Sequence, residues 1–201
     1  MIMSKHAYLI MAHGNFNQLK KLIKMLDDNR NDLFIHVDLN AEGFKKEEFL
    51  DITVYSGLEF ITSRKVFWAS YSLTNVQLDL LECACNKSHY KYYHLLSGMD
   101  LPIKTQDYIH NFLDNKDCEF IGIVPKETWY SVRRVKFYHP LVENRYYRNC
   151  KLLKGLDVVF EKLQQLVGVN RLKDNNIKII DGWEWFSVTD SFARFVLSKR
   201  K

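Results

Sequence analysis

Short apolar runs of strand length alternate along this chain with segments whose apolar residues recur at helical spacing. The alternation is typical of a mostly parallel β-sheet with helices on both faces, because parallel strands need long crossover connections that are usually helical. Predicted strands cover residues 7–11, 33–37, 92–96 and 120–124, with another near residues 53–55 and a later one around residues 177–186. Predicted helices cover residues 16–28, 72–86, 105–113 and 189–201, with Thr105 as an N-cap. The predicted fold class is α/β with a Rossmann-like sheet.

The composition fits a single domain with a sizeable core, since 47% of the 201 residues are hydrophobic. No run approaches the roughly twenty apolar residues of a membrane span, so any membrane association must be peripheral. The four cysteines show no CxxC spacing, which favours reduced thiols in a cytoplasmic protein. The net charge of +5 favours anionic ligands without choosing among nucleic acid, phosphate and membrane.

Polar or glycine residues follow three of the predicted strands. His13 and Gly14 follow the first strand, Asp38 follows the second, and the SGMD stretch at 97–100 follows the strand over 92–96. Ligands of open α/β sheets bind beyond the carboxyl ends of the strands, and a glycine such as Gly98 allows a ligand to approach the backbone. Each position alone also fits ordinary turn chemistry. Their coincidence predicts a binding crevice at this edge.

Several common site motifs are missing from the sequence. It contains no GxGxxG or Walker-type phosphate loop, no HExxH or zinc-spaced Cys/His cluster, and no GxSxG elbow. It also lacks a DxD pair of the kind that holds a divalent cation against a nucleotide sugar. These absences argue against the common dinucleotide, P-loop, zinc and serine-hydrolase sites.

Residues 127–149 are dense in aromatic and basic side chains and show no clean period. The segment is predicted to be an excursion over the sheet. Aromatic rings interleaved with arginines can stack on bases or sugars, and they can equally hold a long loop against the core. Both interpretations stay open from the residues alone.

Five blocks of the sequence are distinctive: AYLIMAHGNFNQLKKLI from residue 7, FIHVD at 34–38, VFWASYSLTNVQLDLL at 66–81, YYHLLSGMDLPIKTQDYI at 92–109 and GWEWFSVTDSFARFVL at 182–197. In these blocks and in their order the sequence resembles the core-2/I-branching β-1,6-N-acetylglucosaminyltransferases, glycosyltransferase family 14, which also includes xylosyltransferases. The resemblance implies a GT-A fold and an inverting transfer from a UDP-sugar, most often UDP-N-acetylglucosamine and alternatively UDP-xylose, to a carbohydrate hydroxyl.

The resemblance also implies roles for individual residues on the donor side. Trp68 occupies the position of an aromatic residue that can stack on uracil, and Asp100 ends the turn where other GT-A enzymes carry DxD. Family 14 glucosaminyltransferases work without a metal, so no metal or other cofactor is expected. The donor-binding residues implied in this way are Ala12, His13, Asp38, Trp68, Ser97, Gly98 and Asp100.

On the acceptor side the resemblance is looser. The implied acceptor-binding residues are Glu127, Arg133, Arg134, Trp183 and Glu184. In the family the catalytic base is a glutamate of an Asp-Glu pair that follows the GWEWF-like strand and the next helix, and cations that bind the diphosphate lie further on. Those positions are expected beyond Lys201, so no residue of this sequence is identified as the base.

The resemblance therefore predicts one GT-A-like domain over residues 1–201, with a nucleotide-sugar-binding half at 1–125 and part of an acceptor-binding half at 126–201. The expected partners are a UDP-sugar and a carbohydrate acceptor, and no nucleic acid. A bacterial, cytoplasmic enzyme of polysaccharide biosynthesis is expected, because the sequence shows no amino-terminal membrane anchor of the animal type. The alternatives are a UDP-sugar-binding module without activity and a truncated fragment.

Overall fold

The computed structural model describes residues 4–67, 69–124, 129–173 and 179–200. Its strands are β1 (His6–Ala12), β2 (Asn31–Val37), β3 (Gly57–Phe60), β4 (Tyr92–Ser97), β5 (Phe120–Val124) and β6 (Asp181–Thr189). Its helices are α1 (Phe16–Leu26), α2 (Tyr71–Lys87), α3 (Gln106–Asp114), α4 (Trp129–Lys136), α5 (Lys151–Leu166) and α6 (Asp190–Ser198). Short 3₁₀ turns cover Lys46–Phe49 and Tyr147–Asn149.

The strands form a six-stranded sheet in the order β3-β2-β1-β4-β6-β5. β1 lies parallel to β2 and β4, β3 lies parallel to β2, and β6 runs antiparallel to β4. Six of the seven residues of the central strand β1 are buried because both of its faces are covered, as is usual for a parallel sheet. The predicted α/β class with a mostly parallel sheet is confirmed.

Alternate residues of β1 pack against helices on opposite faces of the sheet. Tyr8, Ile10 and Ala12 share one apolar cluster with the α1 residues Leu19, Leu22, Ile23 and Leu26. Ala7 and Leu9 share the other with residues of α2 and with Ala193 of α6. Helices therefore cover both faces, as the sequence predicts.

The chain divides into two compact units. The first unit comprises Met1–Val66, Thr74–Ile121 and Glu184–Lys201, and the second comprises Phe67–Leu73 and Gly122–Trp183. The grouping of residues 184–201 with the first unit differs from a simple division at residue 125. Compactness assigns no role to either unit, so the donor half and the acceptor half stay predictions.

The strand predicted near residues 53–55 exists but begins later than predicted, at Gly57. The carboxylate of Asp27 accepts hydrogen bonds from the backbone N–H groups of Val54, Tyr55 and Ser56, at 2.8, 2.9 and 2.8 Å. Because these donors are already used, the strand begins only afterwards, at Gly57 beside Asp32. A carboxylate at the end of α1 thus displaces the strand by four residues from the predicted start.

The later part of the chain also differs from the prediction. β6 begins at Asp181, so the predicted strand starts too early, and residues 174–178 lie outside the described ranges. The predicted excursion contains α4, and α5 was not predicted at all. Within the described residues, no helix is both long and apolar enough to cross a bilayer.

Candidate functional site

The carboxyl ends of β1, β2 and β4 meet at one edge of the sheet. The backbone N–H of Asp38 donates to the carbonyl of Ala12 at 2.8 Å, and the N–H of Gly98 donates to the carbonyl of Met11 at 2.8 Å. Ser97 pairs with Met11 in the parallel register of β1 and β4. The structure thus brings together Ala12, Asp38, Ser97 and Gly98, which the sequence places far apart.

Gly98 is needed for the close approach of two strand ends. A Cβ atom added at Gly98 would lie 3.1 Å from the Cβ of Ala12 and 3.2 Å from its Cα. Gly98 is buried, and the space beside it is filled by Ala12 and Leu19. Packing within the protein therefore accounts for this glycine, and its contact with a ligand stays a prediction.

The turn from β1 into α1 places His13 at the same edge. His13 is exposed, and a Cβ added at the neighbouring Gly14 would meet nothing within 4 Å. Asn15 adopts a left-handed conformation with φ 46°, and its side chain accepts from the N–H of Gln18 as the N-cap of α1. The turn leaves open space beside the amino end of an 11-residue helix, where anions are favoured.

Asp38 and His36 hold the segment that follows β3. The Oδ1 atom of Asp38 accepts from the N–H groups of Asn40 and Val66, at 2.8 and 3.1 Å. Burial lowers the pKa of His36, so its ring is neutral and Nε2 accepts from the N–H of Arg64 at 2.9 Å. Among the described residues, Oδ2 of Asp38 makes no hydrogen bond in the structure, so one carboxylate oxygen is available to a ligand.

Asp100 closes a tight turn after β4. Its Oδ2 atom accepts from the backbone N–H of Ser97 at 2.7 Å and from the indole N–H of Trp185 at 2.9 Å. The Ser97 hydroxyl in turn accepts from the N–H of Met99 at 3.1 Å. Two donors on one oxygen fix the carboxylate against β6, and a half-exposed indole ring is placed beside it.

The predicted acceptor-binding residues lie in both units. In the second unit, Arg133 pairs with Glu161 at 2.6 Å, Arg134 is exposed on α4, and Trp183 lies against Gly122. In the first unit, exposed Glu184 accepts from the side chain of Gln77 at 3.2 Å. Trp68 and Glu127 lie outside the described residues. The roles of all of these positions stay predictions.

Two residues at the edge were not among the predicted site residues. His36 lies in β2, which ends at Val37, and Asp38 follows His36 by two positions, the spacing that puts two side chains on one face of an extended chain. Two polar residues at that spacing, at the end of an apolar run, are a sequence pattern that could have identified His36 as a neighbour of Asp38. Trp185 offers no such signal, because its contact with Asp100 spans 85 positions of the chain.

Comparison with known proteins identifies the family. The family model described as "Core-2/I-Branching enzyme" matches residues 6–201. The chain belongs to the Core-2/I-Branching enzyme family. The resemblance predicted from the sequence is confirmed by this match over nearly the whole chain.

Individual relatives are distant from this family member. Human xylosyltransferase 2 is 26% identical over 95% of the chain, which spans 21% of that protein. Human beta-1,3-galactosyl-O-glycosyl-glycoprotein beta-1,6-N-acetylglucosaminyltransferase is 25% identical over 97% of the chain, which spans 42% of it. The chain thus spans about a fifth to two fifths of the curated relatives it matches.

A structural comparison pairs this family member with the apo-form glycosyltransferase GlyE of Streptococcus pneumoniae TIGR4. The TM-score is 0.36 at 14% identity, over 98% of this chain and 43% of that one. Within the described ranges, no group of three or more His, Cys, Asp or Glu side chains could hold a metal ion. Metal-independent action stays a prediction.

Proposed function

We propose that the protein is part of an inverting glycosyltransferase that moves a sugar from a UDP-sugar to a hydroxyl of a carbohydrate acceptor. The observation that carries the proposal is the match of the Core-2/I-Branching enzyme model to residues 6–201. Xylosyl- and N-acetylglucosaminyltransferases both match the chain at similar identity. N-acetylglucosamine is the proposed sugar, with xylose as the second candidate.

The carboxyl edge of β1, β2 and β4 is the proposed site for the uridine nucleotide. Two features support it: the open space around the turn at His13, and the carboxylate oxygen of Asp38 that its loop contacts leave available. A carboxylate can accept hydrogen bonds from uracil N–H or ribose hydroxyl groups. The proposal assigns that role to Asp38, with Ala12 and His13 lining the nucleotide and Trp68 stacking on it.

The proposed reaction is a single displacement at the anomeric carbon. The acceptor oxygen forms a bond to that carbon as the bond to the UDP oxygen breaks, and UDP leaves with the electron pair. The hydroxyl proton passes to a carboxylate base. Positive charge or N–H donors must offset the charge that develops on the diphosphate. We assign no residue of this chain to the base.

We also propose that this transfer needs no divalent cation. At the turn after β4 there is one acid, Asp100, and its Oδ2 atom already accepts two N–H donors. Because this oxygen already accepts two hydrogen bonds, we assign Asp100 a role in shaping the turn. Ser97, Gly98 and Asp100 would then position the donor by backbone geometry.

A cytoplasmic location and an acceptor among glycan or polysaccharide precursors complete the proposal. None of the four cysteines forms a disulfide: Cys83, Cys85, Cys118 and Cys150 are all free thiols. Free thiols are the usual state in a reducing compartment.

A transfer assay tests the function. The protein is incubated with UDP-N-acetylglucosamine or UDP-xylose and a panel of oligosaccharides, with EDTA or with Mn²⁺, and products are detected by mass spectrometry. The expected result is a product heavier by one sugar residue, formed equally in EDTA. Donor binding without any product would favour the non-catalytic binding module. Product that forms only with Mn²⁺ would contradict the metal-independent mechanism.

A further inference from the structure

Helix α5 in the second unit buries its polar side chains. Asp157, Glu161 and Gln164 are each only 5% exposed. Their spacing of four and three residues puts them on one face of the helix. A helix that packs on a core ordinarily buries its apolar face, so this orientation is reversed.

Specific partners hold the reversed orientation in place. Asp157 accepts from the Tyr147 hydroxyl at 3.1 Å and contacts Nδ1 of His139 at 3.0 Å. Glu161 accepts from the Arg133 guanidinium at 2.6 Å.

The third polar residue of the buried face pairs with the main chain. Gln164 accepts from the backbone N–H of Tyr138 and donates to its carbonyl, both at 2.8 Å. Each buried polar residue of α5 therefore has at least one hydrogen-bond partner in its own unit, and within the described residues Oδ1 of Asp157 is the one carboxylate oxygen of this face without a partner.

The opposite face of α5 is apolar and exposed. Leu152 is 71% exposed, Val159 55%, Leu163 54% and Leu166 82%. These residues follow one another at spacings of seven, four and three, so they form one stripe along the helix. We call this set, with Leu156 at 49% exposure, the α5 stripe. A contiguous apolar stripe of this kind indicates an interaction surface.

The charged residues of α5 indicate which kind of binding partner could cover the α5 stripe. Its two acids are the buried Asp157 and Glu161, and its remaining charged residues are Lys151, Lys154 and Lys162, all exposed. On a helical projection Lys151 and Lys162 flank one side of the α5 stripe, and Lys154 lies farther round the helix, towards the buried polar face. An apolar stripe with only positive charge beside it is complementary to an anionic lipid surface, where apolar side chains enter the acyl boundary and lysines meet the headgroups.

We propose that α5 docks on an anionic membrane surface, with its axis in the membrane plane and the α5 stripe facing the lipid. At 16 residues the helix is about 24 Å long, which suits an interfacial position better than a transmembrane one. The inference does not depend on the donor site, because every residue that carries it lies in the second unit.

Vesicle flotation tests the proposal. The whole protein is mixed with phosphatidylcholine vesicles that contain 30% phosphatidylglycerol, and with vesicles of phosphatidylcholine alone. We expect partitioning onto the anionic vesicles, weaker partitioning onto the neutral ones, and loss of the difference at high salt. Replacement of Leu152, Leu163 and Leu166 by Glu should lower binding to anionic vesicles at least tenfold.

A matched control tests whether vesicle binding depends on the α5 stripe or on exposed apolar residues in general. Leu50, Val54 and Ile103 are 69%, 79% and 93% exposed in the first unit, and their triple replacement by Glu should leave most of the binding intact. Replacement of Lys151 and Lys162 by Gln should weaken binding to anionic vesicles by roughly 10- to 30-fold. The same change at Lys21 and Lys24, also exposed, should have a much smaller effect.

Three results would overturn the proposal. One is absence of binding to anionic vesicles by the folded protein. Another is equal loss of binding in the stripe variant and in its control. The third is a dimer in sedimentation analysis that the stripe variant converts to monomer, because the stripe would then be covered by a second copy of the chain.

Discussion

Helices α1 and α5 are both amphipathic, yet they bury opposite faces. α1 packs Leu19, Leu22, Ile23 and Leu26 against the sheet, whereas α5 turns Asp157, Glu161 and Gln164 inward and leaves four of its five leucines exposed. Helical periodicity reports that a helix has two faces. The groups available across from the helix decide which face is buried, and those groups come from distant parts of the chain.

The two units also differ in how they bury polar side chains. In the first unit, His6, His94 and His110 form a buried cluster in which His6 stacks on His110 with ring centroids 4.0 Å apart. Burial lowers the pKa of His6 to about 2 and that of His94 to about 3, and it lowers the pKa of His110 as well. The first unit thus buries neutral rings, while the second buries acids paired with donors.

The largest expected effect is a loss of stability of the first unit in mild acid. Each clustered histidine binds a proton near pH 6.5 when unfolded and stays neutral when folded, so stability is highest above that pH and falls below it. Between pH 7 and pH 5.5 the free energy of unfolding should fall by about 1 kcal/mol each for His6 and His94, or about 2 kcal/mol together, and His110 should add to the fall. Urea unfolding at the two pH values measures the change.

A single variant assigns that pH dependence to the cluster. His94→Gln should remove about 1 kcal/mol of it. Equal pH dependence in the wild type and in His94→Gln would show that the cluster is not its source.

Truncation of one leucine in each helix tests the reversed packing. Leu22 is fully buried in α1, so Leu22→Ala should lower the free energy of unfolding by about 3 kcal/mol through lost burial and a cavity. Leu163 of α5 is half-exposed, and Leu163→Ala should change it by less than about 0.5 kcal/mol. A comparable loss in both variants would mean that the α5 stripe is packed within the chain.

Loss of the ion pair between Glu161 and Arg133 should lower the free energy of unfolding more than loss of Lys162, the next residue along α5. Glu161→Ala removes the carboxylate that faces Arg133 and should cost about 2 kcal/mol of unfolding free energy. Lys162→Ala, at an exposed position, is the control and should be nearly neutral. Chemical denaturation that found the two variants alike would contradict the account of the polar face.

The smallest expected difference lies between two tryptophans of β6. Trp185→Phe removes the indole N–H that donates to Asp100 and should lower the free energy of unfolding by about 1 kcal/mol. Trp183 is 68% exposed, and Trp183→Phe should have no more than about half that effect. Thermal unfolding of both variants measures the difference. A larger loss in Trp185→Phe is expected because the contact of Trp185 with Asp100 holds the turn after β4.

Much of the first unit could be predicted from the sequence. Continuous apolar runs predicted β1, β2, β4 and β5 to within about two residues, and Thr105 was confirmed as the N-cap of α3. The convergence of Ala12, Asp38, Ser97 and Gly98 followed from a general property of parallel sheets. These features depend on local pattern and on sheet topology, which the sequence carries directly.

The failures have a common physical cause. The third strand was displaced by the hydrogen bonds from Val54, Tyr55 and Ser56 to Asp27, and the contact of Trp185 with Asp100 joins distant segments. The orientation of α5 depends on Arg133 and His139 in the same way. Side-chain pairing across long separations cannot be inferred from spacing within one segment.

Isothermal titration with UDP and with UDP-N-acetylglucosamine in the presence of EDTA tests the central claim most directly. The account predicts saturable binding that Asp38→Ala weakens by about 1–3 kcal/mol, and that Asp51→Ala, an exposed acid in the same unit, leaves unchanged. Absence of binding by the folded protein, or equal affinity in the wild type and in a folded Asp38→Ala variant, would contradict the assignment of the donor site to this edge.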